Sequence, residues 1–267
     1  MTGKQQTQGS GHRRLAAALA LLLLLFATAL PARTLLVLTD KDSLLAERFL
    51  EHALPETPEL RVVREDHWPV EVDADLVMTV GSLMLSKVPA NTGRPVIAAF
   101  LPLASVPAGL RHAPGYTILP LDPAPPRFIQ ELKQGLPHIQ RVGFVAYTEL
   151  ERDFKAYLDS AREQGLQAEG VSLAQTPLTA MLRGQRPDAI VILPDPALYR
   201  RKLIYQIMLN SFRKQIPAIG TTQNMYRAGA ALSIFVSPED CGLRARELLQ
   251  QWLQHDRLPE GIQYSHR

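Results

Sequence analysis

The chain has 267 residues, enough for two small domains or one large one, with 29 Lys+Arg against 26 Asp+Glu and one cysteine. The whole excess of positive charge sits in residues 1–32, where Lys4, Arg13 and Arg14 meet no acid, so the remainder balances at 26 against 26. A neutral body lacks the single-sign field of a nucleic-acid binder, and a lone cysteine, Cys241, excludes an intramolecular disulfide.

Residues 1–14 are polar and basic, residues 15–30 (LAAALALLLLLFATAL) are an unbroken apolar run, and small residues close it. That order reads as a secretory signal over residues 1–32, with cleavage between about residues 29 and 33. Sixteen apolar residues fall short of the roughly 20 that a spanning helix needs; an uncleaved anchor is the alternative. No cysteine follows the run, so a lipid-modified start is not expected. An exported domain without disulfides fits a bacterial periplasm.

Beyond the leader, short apolar runs alternate with helical patterns. TLLVLTD (34–40) reads as a buried strand and SLLAERFLEHAL (43–54) as a helix with Leu44, Leu45 and Phe49 on one face, His52 beside them. LRVVRED, ADLVMTVGS (74–82) and RPVIAAFLP (94–102) read as further strands, with a short helix over 83–88. The proline-rich stretch 103–126 reads as a crossing segment, and helix signal returns at PRFIQELKQGL.

The second half repeats the theme. IQRVGFVAY (139–147) is a strand, and ELERDFKAYLDSAREQGL is a helix with Phe154, Tyr157, Leu158 and Ala161 inward and Gly165 as its stop. QAEGVSL, DAIVILP, IPAIGT and AALSIFV read as strands. Between them PLTAMLRG and QNMYRAG read as short helices, and residues 197–214 as a longer one with Ile204, Ile207, Met208 and Phe212 inward. In SPEDCGLRARELLQQWLQ, Ser237 is the N-cap, Pro238 the first helical residue and Asp240 completes a capping box. Cys241, Ala245, Leu248 and Trp252 then form one apolar stripe.

Strands separated by helices imply parallel sheets covered on both faces, and the break near 103–126 divides them into two α/β lobes. The expected organisation is a signal peptide (1–32), a first lobe (33–121), a second lobe (122–236) and a C-terminal helix with a short tail (237–267). The helix at about 238–256 is free to pack back on the first lobe.

In open parallel sheets ligands bind beyond the carboxyl ends of the strands. The polar residues there are Thr39, Asp40, Gly81, Ser82, Tyr147, Asp195, Thr221, Thr222 and Gln223, with Asn224 next in line. Each has a structural reading as well. Asp195 before Pro196 is a standard helix opening, Thr39-Asp40 and Ser82 are natural caps, and Tyr147 is a natural packing residue. Hydroxyls and helix N–H groups suit a carboxylate, and Asp195 suits an ammonium. No P-loop, dinucleotide fingerprint, nucleophile elbow or HExxH motif occurs, and the histidines at 52, 67, 112, 138, 255 and 266 lack metal-ligand spacing. No enzyme activity, cofactor or metal is expected.

RPVIAAF, QELKQGLPHIQRVGFVAYTE, AREQGLQAEGV, RPDAIVILPDPALY, KQIPAIGTTQNMYRAGAALSIF and LLQQWLQHDRLPEGI follow one another over residues 94 to 260. This succession resembles the periplasmic substrate-binding proteins of ABC transporters, in the type I binding-protein fold related to tryptophan and tyrosine binders. The resemblance implies two lobes closing on a small ligand. By position it matches Gly81-Ser82 to a glycine-hydroxyl turn after the third strand and Asp195 to an aspartate at the lip of the second lobe. Thr221 to Gln223 match the loop after the following strand. The chain departs from that pattern in reading AFLPLASVP where Asp-Pro is usual, and in ending at IQYSHR where relatives continue through another strand and helix. The expectation is a periplasmic solute-binding protein that hands a small polar solute, such as an amino acid, to the membrane permease of an ABC transporter. The alternative is a periplasmic sensor or adaptor that keeps the fold and docks on a membrane receptor or kinase.

Overall fold

The computed structural model describes residues 32–69, 71–147, 154–181, 186–200 and 202–266; the leader reading and the first turn of the helix expected from residue 149 therefore lie outside the described residues. The first lobe runs β1 (Arg33–Leu38), α1 (Leu44–Ala53), β2 (Leu60–Glu65), β3 (Leu76–Val80), α2 (Ser82–Lys87) and β4 (Val96–Leu101). Two 3-10 turns (Leu103–Ser105 and Ala108–Leu110) then lead to β5 (Tyr116–Pro120). The second lobe opens with α3 (Pro125–Gly135), β6 (Arg141–Ala146), α4 (Lys155–Glu163), β7 (Gln167–Ser172) and α5 (Leu178–Met181). It continues through β8 (Ala189–Ile192), α6 (Pro196–Arg200), α7 (Leu203–Arg213), β9 (Ala218–Gly220), α8 (Gln223–Arg227) and β10 (Leu232–Ser233). The chain then returns to the first sheet with α9 (Pro238–His255) and β11 (Gly261–Ile262).

The two sheets have strand orders β11-β5-β4-β3-β1-β2 and β10-β9-β8-β6-β7, and every pairing is parallel. β1, β3 and β8 are runs of Leu, Val, Ile and their like because both of their faces are covered. The edge strands β2 and β7 carry the exposed polar positions. Phe49, Leu50, Trp252 and the stripe of Cys241, Ala245 and Leu248 cover one face of the first sheet, and α2 covers the other. In the second lobe α3 and α4 pack Phe128, Leu132, Tyr157 and Leu158 on one face; α5 to α8 pack Leu178, Leu198, Ile207, Met208 and Met225 on the other. Each of these fully buried side chains contributes about 1.5–3 kcal/mol of transfer free energy.

Four elements differ from the sequence reading. The stretch 103–126 holds a buried strand, β5, because its prolines fall at the strand's end or outside it, where no ladder N–H is missed. In α1 the Ser43 side chain accepts from Ala46 N and fixes the helix phase, so Ala46, Phe49, Leu50 and Ala53 turn inward while Leu44 is 81% exposed. The helix expected over 197–214 is split by Lys202 in the left-handed conformation (φ 53°), and the changed phase leaves Phe212 82% exposed. The tail contains β11, which pairs with β5 through Gly261 and Ile262 and is held by Thr117 Oγ1 donating to Pro259 O (2.7 Å).

Candidate functional site

The chain leaves each sheet at a carboxyl end. Residues 121–124 carry it from β5 to α3, and residues 234–237 carry it from β10 back to α9. The carboxyl ends of both sheets therefore adjoin the same crossings and define a crevice between the lobes. Strand order also reverses once in each sheet, between β1 and β3 and between β6 and β8. Open α/β sheets bind ligands at such reversals.

In the first lobe Thr39 and Asp40 follow β1, and Gly81 and Ser82 follow the neighbouring β3, so these four flank the reversal. Thr39 is buried and its Oγ1 has no partner, whereas exposed Asp40 accepts Asp42 N through Oδ1 (3.1 Å). Gly81 takes φ 90°, a conformation open to glycine, and lets the chain turn from β3 directly into α2.

In the second lobe Tyr147 and Asp195 flank the other reversal and are joined: Tyr147 N donates to Asp195 Oδ2 at 2.8 Å. Asp195 Oδ1 accepts Ala197 N, also at 2.8 Å, so this buried carboxylate ties the end of β6 to the first turn of α6. Thr221 is buried, its hydroxyl donating to Ile192 O (3.0 Å). Thr222 caps α8 and shares a hydrogen bond with the Tyr199 hydroxyl (3.1 Å); Gln223 is exposed at the helix start. The structure thus gathers the expected residues into one cluster per lobe. Several of their polar atoms already serve the backbone.

Other residues at the same strand ends carry buried oxygens with no partner. Thr79 Oγ1 lies near the end of β3, Ser233 Oγ ends β10, and Asp122 Oδ1 lies two residues beyond β5. Asp122 stands in the first crossing. Its Oδ2 accepts Leu103 N (2.7 Å), and burial drives its carboxyl up to about 7 against the opposing effects of that bond and of Arg111. Tyrosines from three segments surround it. Burial, then the Asp122 charge, pushes the Tyr264 phenol up to about 12 and raises the Tyr157 phenol well above its ordinary value. Tyr199 of the second lobe is raised by burial and, more weakly, by the same carboxylate. Tyr157 also donates to Pro123 O (2.8 Å) and latches α4 to the crossing. Proline-rich composition hid Asp122 from sequence reading; the signal that could have found it is the acid-proline pair directly after an apolar run, as at Asp195-Pro196.

A surface depression of about 700 Å³ lies elsewhere, beside the end of α1. Arg246 within it already donates to the carbonyls of Glu51, His52 and Leu54, so it is the seam of a helix cap. Glu65, Asp66 and His67 bring ligand-type atoms within 4.8 Å of one another, but His67 bonds Asp66 and Lys41 lies 3.6 Å from Asp66, so their charges already have partners. No helix of the described residues is long and apolar enough to cross a membrane.

No protein-family model matches the chain, and no curated protein does. Solved structures match its fold over most of its length. The ABC domain in complex with L-Trp from Streptococcus pneumonia is similar at TM-score 0.52 and 13% identity, covering 86% of this chain and 88% of that one. A ligand-free, open substrate binding protein with adhesive properties from Clostridium difficile reaches 0.54 at 12% identity, over 88% and 89% of the two chains. An amino acid ABC transporter substrate-binding protein from Pseudomonas fluorescens Pf-5 gives 0.53 at 12%, over 84% and 79%. The chain has the two-lobed α/β architecture of the type I periplasmic binding proteins, each lobe a parallel sheet flanked by helices.

Proposed function

We propose that this chain is a non-catalytic, extracytoplasmic solute-binding protein of an ABC-type uptake system. It holds a small polar solute, an amino acid or similar zwitterion, between its lobes. The observation that carries the reading is the chemistry of the strand ends. Partnerless buried oxygens of Thr39, Thr79, Asp122 and Ser233 lie at or near carboxyl ends of strands, and exposed Leu44, Leu45, Leu83, Tyr199 and Tyr226 lie on helices that follow carboxyl ends of the same two sheets. Buried polar groups are nearly always hydrogen-bonded, so an excess of orphans in one region is where a polar ligand gains most. The exposed apolar side chains give such a solute's apolar part something to lie against. Closure about the crossings is favoured because only the closed form contacts solute from both sides.

The test is thermal unfolding of residues 33–267, which hold both sheets and every core cluster, against a panel of amino acids and small anions. A ligand at about 100 times its Kd adds about 2.7 kcal/mol, a rise of about 5–10 °C for a chain of this size. A selective rise supports the reading and names the solute class. A flat panel on a cooperatively folded sample overturns it and moves the chain to the sensor or adaptor class.

A further inference from the structure

Charge is distributed very unevenly in the second lobe. The 69 residues from 170 to 238 contain eight Lys and Arg and only two acids, Asp188 and Asp195, while the rest of residues 33–267 carries 18 basic against 24 acidic residues. Neither acid offsets the excess at the surface, since Asp195 is buried on backbone N–H groups and Asp188 is bound to Arg141 at the start of the sheet. The helices of this stretch, α5 to α8, pack together on one face of the second sheet. Their described basic residues Arg186, Arg200, Lys202, Arg213, Lys214 and Arg227 are all exposed. Between these charges α7 turns Ile207, Met208 and Ser211 inward and presents Tyr205 (72% exposed), Leu209 and Phe212 (82% exposed) at i, i+4 and i+7 on its outer side.

We propose that this outer face of α7, with the basic residues at its two ends, docks on an anionic lipid bilayer. Its two features have separate jobs. Arginines and lysines draw the face to headgroup phosphates, and an aromatic-aliphatic stripe one side chain deep enters the boundary between headgroups and acyl chains. A purely electrostatic partner would leave the stripe without a role, and a purely apolar one would leave the basic residues without one. Cationic ends that complement headgroup phosphates, with an apolar stripe between them at the depth of the acyl boundary, together select a bilayer as the partner. The face lies on the outer layer of the second lobe, apart from the strand ends that hold the solute cluster, and does not depend on that cluster's role.

The experiment is co-sedimentation of residues 33–267 with phosphatidylcholine vesicles, with and without phosphatidylglycerol, at low and high salt. The expected result is binding to the anionic vesicles only, weakened by salt. R213E/K214E should weaken it by at least about fivefold per charge removed, and Y205S/F212S should weaken it while leaving its salt dependence in place. All these side chains are exposed, and the variants' unfolding temperatures should match the parent's. Binding no greater to anionic than to neutral vesicles, or unchanged binding by both variants, overturns the proposal. So does retention on an immobilised acidic polypeptide with none on vesicles, which would give the face to a protein partner.

Discussion

Replacing Asp122 with asparagine tests whether the first crossing is built around a carboxyl that the fold prefers neutral. The Asp122 carboxyl is buried, has one oxygen on Leu103 N and none on the other, and ionises at about 7 where an ordinary aspartate ionises at 3.8. In the unfolded chain it ionises at the lower value, so between about pH 4 and pH 7 the native state binds a proton that the unfolded state has released. Stability then falls as pH rises through that window, by about 1.4 kcal/mol per pH unit and about 4 kcal/mol in all. The substituted amide is neutral throughout and still offers an oxygen to Leu103 N. Urea unfolding of parent and variant at intervals from pH 4.5 to 8 isolates the difference, because every other titrating group is common to both. The two should differ by about 1 kcal/mol at pH 4.5 and separate steadily above it. At pH 8 the variant should be more stable by about 4 kcal/mol, roughly 8–16 °C in Tm for a chain of this size. A difference that does not change with pH, or a variant less stable at pH 8, would refute the argument.

Two further substitutions address the frame around the crevice. Asp195→Ala removes both acceptors that hold Tyr147 N and Ala197 N, and leaving two buried N–H groups unpaired costs about 2–6 kcal/mol; urea unfolding should register that loss, whereas a pure ligand contact would cost solute affinity and spare stability. Gly242→Ala would place a Cβ 2.5 Å from Phe49 O and 2.8 Å from His52 Cβ, forcing α9 away from α1. Overpacking of about 1–3 kcal/mol should exceed the roughly 1 kcal/mol of helix propensity gained, seen as a lower urea midpoint at unchanged slope.

The alternation of apolar runs and helical patterns was enough to read most strands of the two sheets, because a parallel strand buried on two faces must be apolar along its length, as VIAAFL and AIVI are. Stripes with a strong cap were equally legible: Ser237 does accept Asp240 N, and Cys241, Ala245, Leu248 and Trp252 are all buried beneath it. Helix phase without such an anchor was not. Leu44, Leu45 and Phe212 have the spacing of a core face, yet the cap at Ser43 and the break at Lys202 rotate them outward. β5 escaped because proline was read for its composition, when what matters is which N–H the sheet requires. β11 is two residues long, and no local pattern of that length marks a strand; its existence follows from α9 packing on α1 and carrying the tail back to β5.

The candidate site was legible as a region and only partly as residues, for a reason that lies in hydrogen bonding. Most strand ends supply polar side chains, and sequence cannot distinguish those that already have hydrogen-bond partners from those that do not. The structure separates the two sets. Asp195, Thr221 and Thr222 bind backbone groups or a neighbouring tyrosine, which makes them the frame. Thr39, Thr79, Asp122 and Ser233 keep buried oxygens with no partner, which makes them the reserve. Of that reserve, only Asp122 stands on the segment joining the lobes, with tyrosines of the second lobe and of the C-terminal tail around it. On the proposed reading, a change in lobe angle alters what surrounds that carboxyl and so links its proton to closure. A closed form that supplies a donor to Asp122 Oδ1 would lower its pKa and release a proton near neutral pH. A pH-dependent solute affinity that disappears in Asp122→Asn would be the signature of that linkage.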